Sequence, residues 1–222
     1  MCWSKGSSFA IAVAGGLLLA AKIALTDVPL LTLLPLSLYV LMEVLQFFQY
    51  DELDKCASTR NKKLTRFAYV LIWLQPVIWN LLPALQRGGS PIFGFSFAVS
   101  VFILLLSLDR NIFHLLHKGE VNDKEAHNTG EDCTKTGKSH LYWTFDLKTS
   151  RGLEPNWLWY FVLMFGPHIY LGDKSHFAKI MLAGAALSLA LAKGNGEEFT
   201  SYWCANSIPY FLFAELANSV AI

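Results

Sequence analysis

The chain has 222 residues, of which 54% are hydrophobic and only 16% are charged, and its mean hydropathy is +0.38. A soluble domain of this size carries about 25% charged residues. The composition therefore argues against an ordinary soluble domain and favours a membrane protein. The formal net charge of +1 gives no indication of nucleic-acid binding.

Long uncharged runs predict a bundle of membrane-spanning helices. A helix that crosses a bilayer needs about 20 predominantly apolar residues, and segments of this kind recur along the whole chain. In chain order we predict spans at residues 8–26, 28–49, 65–86, 91–108, 156–172, 176–193 and 199–220. The predicted fold class is all-α: a polytopic bundle of about seven spans that forms one transmembrane domain over residues 1–222.

Basic residues are distributed unevenly between the two sides of this predicted bundle. Most Lys and Arg residues lie on the N-terminal side, which includes the connections after the second, fourth and sixth spans. The positive-inside rule therefore predicts a cytoplasmic N-terminus and an external C-terminus. On that assignment Cys2, Cys56 and Cys133 lie on the reducing side and Cys204 lies inside the last span, so we expect no disulfide bond.

The connection at 109–155 is the only long one, and we predict that it is a cytoplasmic loop. Its stretch VNDKEAHNTGEDCTKTGKSH is polar and rich in turn residues, and we expect it to be mobile. The following LYWTFDLKT is apolar and aromatic enough to dock. Two interpretations stay open for it: a lid on the bundle, or an anchor at the membrane surface, where Trp and Tyr are common.

Small residues recur at every fourth position in two of the predicted spans. One stripe lies in the first span and the other in the sixth: Ser8, Ala12, Gly16, Ala20 and Ala24, and Gly184, Ser188 and Ala192. Small residues at this spacing allow helix backbones to approach closely. The two stripes therefore predict packing faces.

The second predicted span contains the stretch MEVLQFFQY, which places polar residues in an apolar helix. At 3.6 residues per turn, Tyr39, Glu43 and Gln46 share one face, and Gln49 is slightly rotated from it. A carboxylate near the bilayer centre costs roughly 2.5–3.5 kcal/mol. Glu43 is therefore expected to face the bundle interior, to be protonated or to meet a partner, and an intramembrane acid is a functional candidate by default.

Polar residues in other spans can complete a site with Glu43. We predict a small polar cavity between the second, third, fifth and seventh spans. The candidate ligand-binding residues are Glu43, Gln46, Gln75, Asn80, His168, Asn206 and Glu215. The alternative for the amides is that they only hold helices together, through interhelical hydrogen bonds worth under about 1 kcal/mol each.

No cofactor and no resident metal are predicted, and the catalytic residues are left unassigned. The last predicted span has no lysine that could carry retinal, and the HxxxH motif of seven-helix zinc hydrolases is absent from the sequence. The histidines and the cysteine of the 109–155 loop match no standard zinc spacing.

Four short stretches carry a family resemblance: MCWS at the start, LQPVIWN in the third span, SHLYW before the fifth and SYWC at the start of the seventh. They resemble an uncharacterised family of multi-pass membrane proteins whose members begin with Met-Cys-Trp-Ser. The resemblance runs over nearly the whole chain. It implies a membrane location and several helices, and it brings no activity, cofactor or catalytic residue.

Three functional hypotheses follow. The leading one is a multi-pass integral membrane protein, surrounded by lipid, that binds or translocates a small solute, proton or cation in the polar cavity. The second is an intramembrane lipid-modifying enzyme in which His168, Cys204 and Glu43 act as base, nucleophile and acid in some combination. The third is a non-catalytic receptor or assembly subunit. No sequence feature favours a particular membrane, substrate or oligomeric state.

Overall fold

A computed structural model describes most of the chain. The described residues are 4–25, 27, 29–85, 90–116, 132–138, 140–144, 157–171, 176–193 and 196–220. Side chains are described over the same ranges except 106–116, 157, 176–178, 196–197 and 214–220.

The described residues are mainly helical, which confirms the predicted class. The helices are α1 (Lys5–Leu25), α2 (Leu34–Gln49, preceded by a 3-10 turn at Leu30–Leu33), α3 (Thr59–Leu85), α4 (Pro91–Leu116), α5 (Trp157–Tyr170), α6 (His176–Leu191) and α7 (Gly196–Val220). Two short strands, β1 (Cys133–Thr136) and β2 (Leu141–Thr144), form a hairpin between α4 and α5. Pro35 and Pro91 lie at the first turns of α2 and α4, where the missing N–H has no partner within the helix in any case.

Three of the described helices are long and apolar enough to cross a membrane: Lys5–Leu25, Leu30–Gln49 with its 3-10 turn, and Thr59–Leu85. Two further apolar stretches, Pro91–Leu105 and Lys179–Leu191, are shorter. Membrane association is thus supported by length and composition, whereas the number of spans and their orientation stay predictions.

Helix α1 packs antiparallel to α2. The Lys5 ammonium at the start of α1 lies 2.6 Å from the Asp51 carboxylate just beyond α2, and the rings of Phe9 and Phe47 have their centroids 5.5 Å apart. Helix α2 also contacts α3 and α7, while α3 pairs with α4 and α6 pairs with α7. The core therefore lies around α2, where α3, α5 and α7 contribute large fully buried side chains, among them Trp73, Tyr160 and Trp203.

The two predicted small-residue stripes have different outcomes. Gly184 and Ser188 of α6 and Ala192, just after its end, are all buried, and a Cβ on Gly184 would lie 2.3 Å from the Tyr210 ring of α7. That packing face is confirmed.

In α1 the predicted stripe is right for Ser8 and Ala12, which are buried, and wrong beyond them. The close approach is made by Gly15, where a Cβ would lie 2.6 Å from Val40, whereas Gly16 faces open space. On a helix of 3.6 residues per turn, each step of four residues rotates the side-chain position by about 40° beyond a full turn. A stripe of residues at every fourth position therefore winds around the helix and leaves the packed face.

The β1–β2 hairpin docks on the helix ends. Its antiparallel register pairs Cys133 with Thr144, and Leu141 and Trp143 are buried. Ser201 of α7 donates to the Leu141 carbonyl over 2.6 Å. The expectation of a mobile tract is wrong for the residues that form β1, and the start of LYWTFDLKT docks on the bundle.

The turn of this hairpin requires a glycine. A Cβ on Gly137 would lie 2.1 Å from the backbone oxygen of His140. The Glu198 carboxylate of α7 accepts a hydrogen bond from the Lys138 backbone N–H at 2.7 Å. The turn is therefore fixed both by its own backbone and by α7.

A disulfide joins Cys56, in the α2–α3 connection, to Cys133 of β1, with a Cα–Cα distance of 5.1 Å. The expectation of no disulfide bond is wrong. It depended on the sidedness inferred from basic residues, whereas the docking of the hairpin brings together two cysteines that are 77 positions apart in the sequence. Cys204 is free and buried, and Cys2 lies outside the described residues.

Candidate functional site

Helix α2 turns a polar face inward and an apolar face outward. Glu43, Gln46 and Gln49 are completely buried. The exposed face carries large apolar side chains: Leu41, Val44 and Phe48. A surface helix of a soluble protein buries its apolar face and exposes its polar face, so the two faces of α2 are reversed. Lipid around the bundle would favour this arrangement.

The Glu43 carboxyl group lies between α1 and α7. The Ser8 hydroxyl of α1 is close enough to interact with it, and the Cys204 thiol of α7 interacts with it electrostatically. Neither carboxylate oxygen, however, has a hydrogen-bond partner among the residues that the structure describes. Ser8 and Cys204 thus lie near the carboxyl group without forming a normal hydrogen bond to it. Burying an acid in this way is costly, because the desolvation of the carboxyl group is not offset by hydrogen bonds.

Gln46 repeats this situation one turn along α2. Its side-chain oxygen and nitrogen are buried, and within the described part of the chain neither atom has a hydrogen-bond partner. Residues three apart on a helix lie on the same face, about 4.5 Å apart along the axis. Glu43 and Gln46 thus form a continuous polar surface, which we call the α2 polar pair.

Gln75 of α3 belongs instead to a satisfied hydrogen-bond network. The Tyr160 hydroxyl of α5 donates to its side-chain oxygen, and Trp203 of α7 donates to the Tyr160 hydroxyl at 2.9 Å. The Gln75 amide nitrogen in turn points to the Cys204 sulfur at 3.8 Å. These contacts join α3, α5 and α7 and use the polar capacity of Gln75 within the protein.

The two candidate asparagines also have protein partners. Asn80 donates to the backbone oxygens of Pro76 at 2.7 Å and Leu163 at 2.9 Å. Asn206 donates to the Ser188 hydroxyl at 3.3 Å. Asn80 therefore connects α3 with α5, and Asn206 connects α7 with α6.

His168 lies towards the far end of α5, against aromatic rings. Its ring centroid is 4.9 Å from that of Phe93 and 5.8 Å from that of Trp79. It follows Tyr160, which belongs to the Gln75 network, by eight residues, or about 12 Å of helix. The structure therefore does not place His168 beside Cys204, as a nucleophile and its base would require. Glu215 lies in α7, and its side chain is outside the described residues.

Sequence reasoning missed the residues that close the hairpin end of the bundle. Trp143 donates to the Gln49 side-chain oxygen at 3.1 Å, so β2 covers the end of the α2 polar face. Asn61 of α3 donates to the Glu52 backbone oxygen at 2.6 Å and accepts from the Thr134 N–H at 2.9 Å. An asparagine in the first turn of a predicted helix was the signal available in the sequence, but neither its burial nor its partner in β1 could be read from the sequence.

The described residues contain no group of three or more His, Cys, Asp or Glu side chains arranged to hold a metal ion. Buried side-chain polar atoms without a hydrogen-bond partner in the described residues are found at single atoms of Ser8, Gln49, Trp73 and Asn80, and at all four polar atoms of the α2 polar pair, where they lie on neighbouring turns of one helix. The arrangement can bind a group that donates to a carboxylate and both donates to and accepts from an amide.

Over residues 6–220 the chain matches a protein family described as "Family of unknown function (DUF5765)". The chain belongs to this family. No curated protein and no solved structure matches it. The match agrees with the resemblance to an uncharacterised family, although it begins after the Met-Cys-Trp-Ser start. DUF5765 brings no assigned activity, so function has to be argued from the residues.

The hairpin also predicts a pH dependence. Burial between the rings of Tyr50 and Tyr202 lowers the pKa of His140 to about 3, whereas an exposed histidine has a pKa near 6.5. The undocked hairpin therefore binds a proton that the docked hairpin excludes. We expect docking to weaken as pH falls from about 6.5 towards 3. The protection of the β1 and β2 amides against hydrogen exchange, corrected at each pH for the intrinsic exchange rate, tests the expectation.

The matched control is His140→Phe, which keeps a ring between the two tyrosines and removes the titrating group. We expect the hairpin amides of the variant to show little change in protection, relative to the intrinsic exchange rate at each pH, between pH 7.5 and 5. An equal pH response in both proteins would assign the effect to another group.

Proposed function

We propose that this DUF5765 protein is a multi-pass integral membrane protein that binds a small cation or a small polar solute at the α2 polar pair, Glu43 and Gln46. The observation that supports the proposal is that both side chains are completely buried and that none of their four polar atoms has a hydrogen-bond partner in the described residues.

The free-energy cost of leaving Glu43 and Gln46 without hydrogen bonds supports the proposal that a ligand binds there. Leaving a buried polar group unsatisfied costs about 1–3 kcal/mol, and apolar side chains of similar size at the same two positions would avoid that cost. A bound ligand instead compensates it. The carboxyl group selects a cation or a group with N–H or O–H donors, and the Gln46 amide adds one acceptor and two donors.

The proposed set is narrower than the one that the sequence predicts. Gln75 and Asn206 have protein partners. The Asn80 amide nitrogen donates to two backbone oxygens, although its side-chain oxygen has no partner in the described residues, so we assign all three to helix packing. His168 lies in an aromatic environment at the other end of the bundle and is not required. Ser8 and Cys204, which flank the carboxyl group, complete the proposed walls on α1 and α7.

The proposal is tested by binding to detergent-purified protein. Native mass spectrometry and thermal-shift measurements would use sodium, potassium, ammonium and methylammonium salts, together with any solute that copurifies. We expect a bound species, or a stabilising cation, with wild-type protein and at least a tenfold weaker effect with Glu43→Gln. Asp51→Asn is the matched control, because it neutralises an exposed carboxylate at the end of the same helix.

A second variant separates binding from folding. Gln46→Met removes an unsatisfied amide with little change in volume, so we expect the ligand-free protein to keep or raise its apparent Tm while binding weakens. A lowered Tm, or ligand retained by both Glu43→Gln and Gln46→Met, would contradict the proposal and make these residues part of the packing.

A further inference from the structure

The Cys56–Cys133 disulfide bears on which side of the membrane each end of the bundle faces. We define the capped end as the α2–α3 connection, residues 50–58, together with the β1–β2 hairpin. The two cysteines lie in separate segments of this end, with their Cα atoms 5.1 Å apart.

Contacts other than the disulfide hold the two segments together. The Asp54 N–H donates to the Thr134 backbone oxygen at 3.1 Å. The hydroxyl of Thr65, in the adjoining α3, lies 2.8 Å from that of Thr134 and holds β1 in place from the helix side. The Thr136 hydroxyl donates to the Asp54 carboxylate at 2.6 Å. The fold itself therefore places Cys56 beside Cys133, and the bond joins residues that already lie together.

From this geometry we infer that the capped end faces an oxidising compartment: the cell exterior, an organelle lumen or a bacterial periplasm. Structural disulfides persist there and are rare where thiols are kept reduced. The inference requires the proposed membrane insertion but is independent of the proposed ligand site. On forming the bond, the two thiols release two protons and give two electrons to a protein disulfide of that compartment, which becomes a dithiol.

This orientation is opposite to the one that the basic residues predict. At the capped end, however, two of the described cations lie close beside acids: Lys5 is 2.6 Å from Asp51 and Arg66 is 2.7 Å from Asp132. Further basic residues of this side belong to the long 109–155 connection, and the rule is a statistical bias that applies best to short loops. A structural disulfide, which is rare where thiols are kept reduced, is the stronger constraint.

The first test counts thiols. Protein from cells quenched with N-ethylmaleimide is denatured and its mass is measured before and after reduction and a second alkylation. Of the four cysteines, we expect two to be alkylated before reduction and all four afterwards. Four alkylated thiols before reduction would overturn the inference, because the disulfide would be absent in the cell.

The second test determines which side of the membrane each end of the bundle faces. It uses two single cysteine substitutions, one at each end, in a Cys2→Ser background. Thr59, at the start of α3, and Asp27, between α1 and α2, are both exposed and lie at opposite ends of the helices. With a membrane-impermeant maleimide on intact cells or right-side-out vesicles, we expect Thr59→Cys to be labelled, and Asp27→Cys only after permeabilisation. For an organelle protein the same pattern is expected in inside-out vesicles of that organelle. The reversed pattern would place the capped end in the cytoplasm and refute the inference.

Discussion

Replacing Cys56 with serine is expected to lower the free energy of unfolding by about 2–4 kcal/mol. The disulfide closes a loop between residues 77 positions apart, and a loop of this length restricts the unfolded chain strongly. The loss should also loosen the hairpin, because the bond joins β1 to the α2–α3 connection. Thermal unfolding in detergent and hydrogen exchange of β1 measure the two effects.

Reduction provides the internal control for this prediction. Wild-type protein treated with a reducing agent should resemble Cys56→Ser, and the same treatment of Cys56→Ser should change nothing. Equal stability of the wild type with and without reductant would show that the contacts of Asn61 and Thr134 alone are sufficient to hold the hairpin.

The second large effect is expected at the α6–α7 interface. Gly184→Ala would place a Cβ 2.3 Å from the Tyr210 ring, and relief requires the two helices to separate or the ring to move. Overpacking of this kind typically costs 1–3 kcal/mol, so we expect a clear fall in apparent Tm.

Gly16→Ala is the matched control in α1, because its Cβ would meet nothing within 4 Å. Alanine is favoured over glycine in a helix by about 0.8–1.0 kcal/mol, so we expect this variant to be slightly more stable than the wild type. If Gly184→Ala were equally well tolerated, α6 and α7 would not be closely packed at this position.

Helix positions were accessible from the sequence because each depends on a local run of apolar residues. The inward direction of Glu43 was accessible for a similar reason, since periodicity places it on a face with Tyr39 and Gln46. The hydrogen-bond partners of these polar residues, in contrast, could not be predicted from the sequence. Gln75 and Glu43 are both polar residues within apolar helices, yet only Gln75 finds a tyrosine and a tryptophan from other helices.

The hairpin and its disulfide show the same division between local and distant information. Gly137 marks a turn locally, but the docking of Trp143 on Gln49 depends on tertiary packing. The sequence does not show that Cys56 and Asn61 contact β1, because α4 and most of α3 separate them from β1 along the chain. The count of basic residues then assigned both Cys56 and Cys133 to a reducing side, and the error in the disulfide followed from that step.

The distance along the chain between Cys56 and Cys133 also sets an order of events during synthesis. When Cys56 leaves the ribosome, its partner is still 77 residues away, which corresponds to roughly 4–15 s of translation at 5–20 residues per second. Helices α3 and α4 are made in that interval, so Cys56 has to remain a thiol until β1 has been synthesised. Early pairing with another thiol, such as Cys2 or a cysteine of a second chain, is the error that the biogenesis of this protein has to avoid.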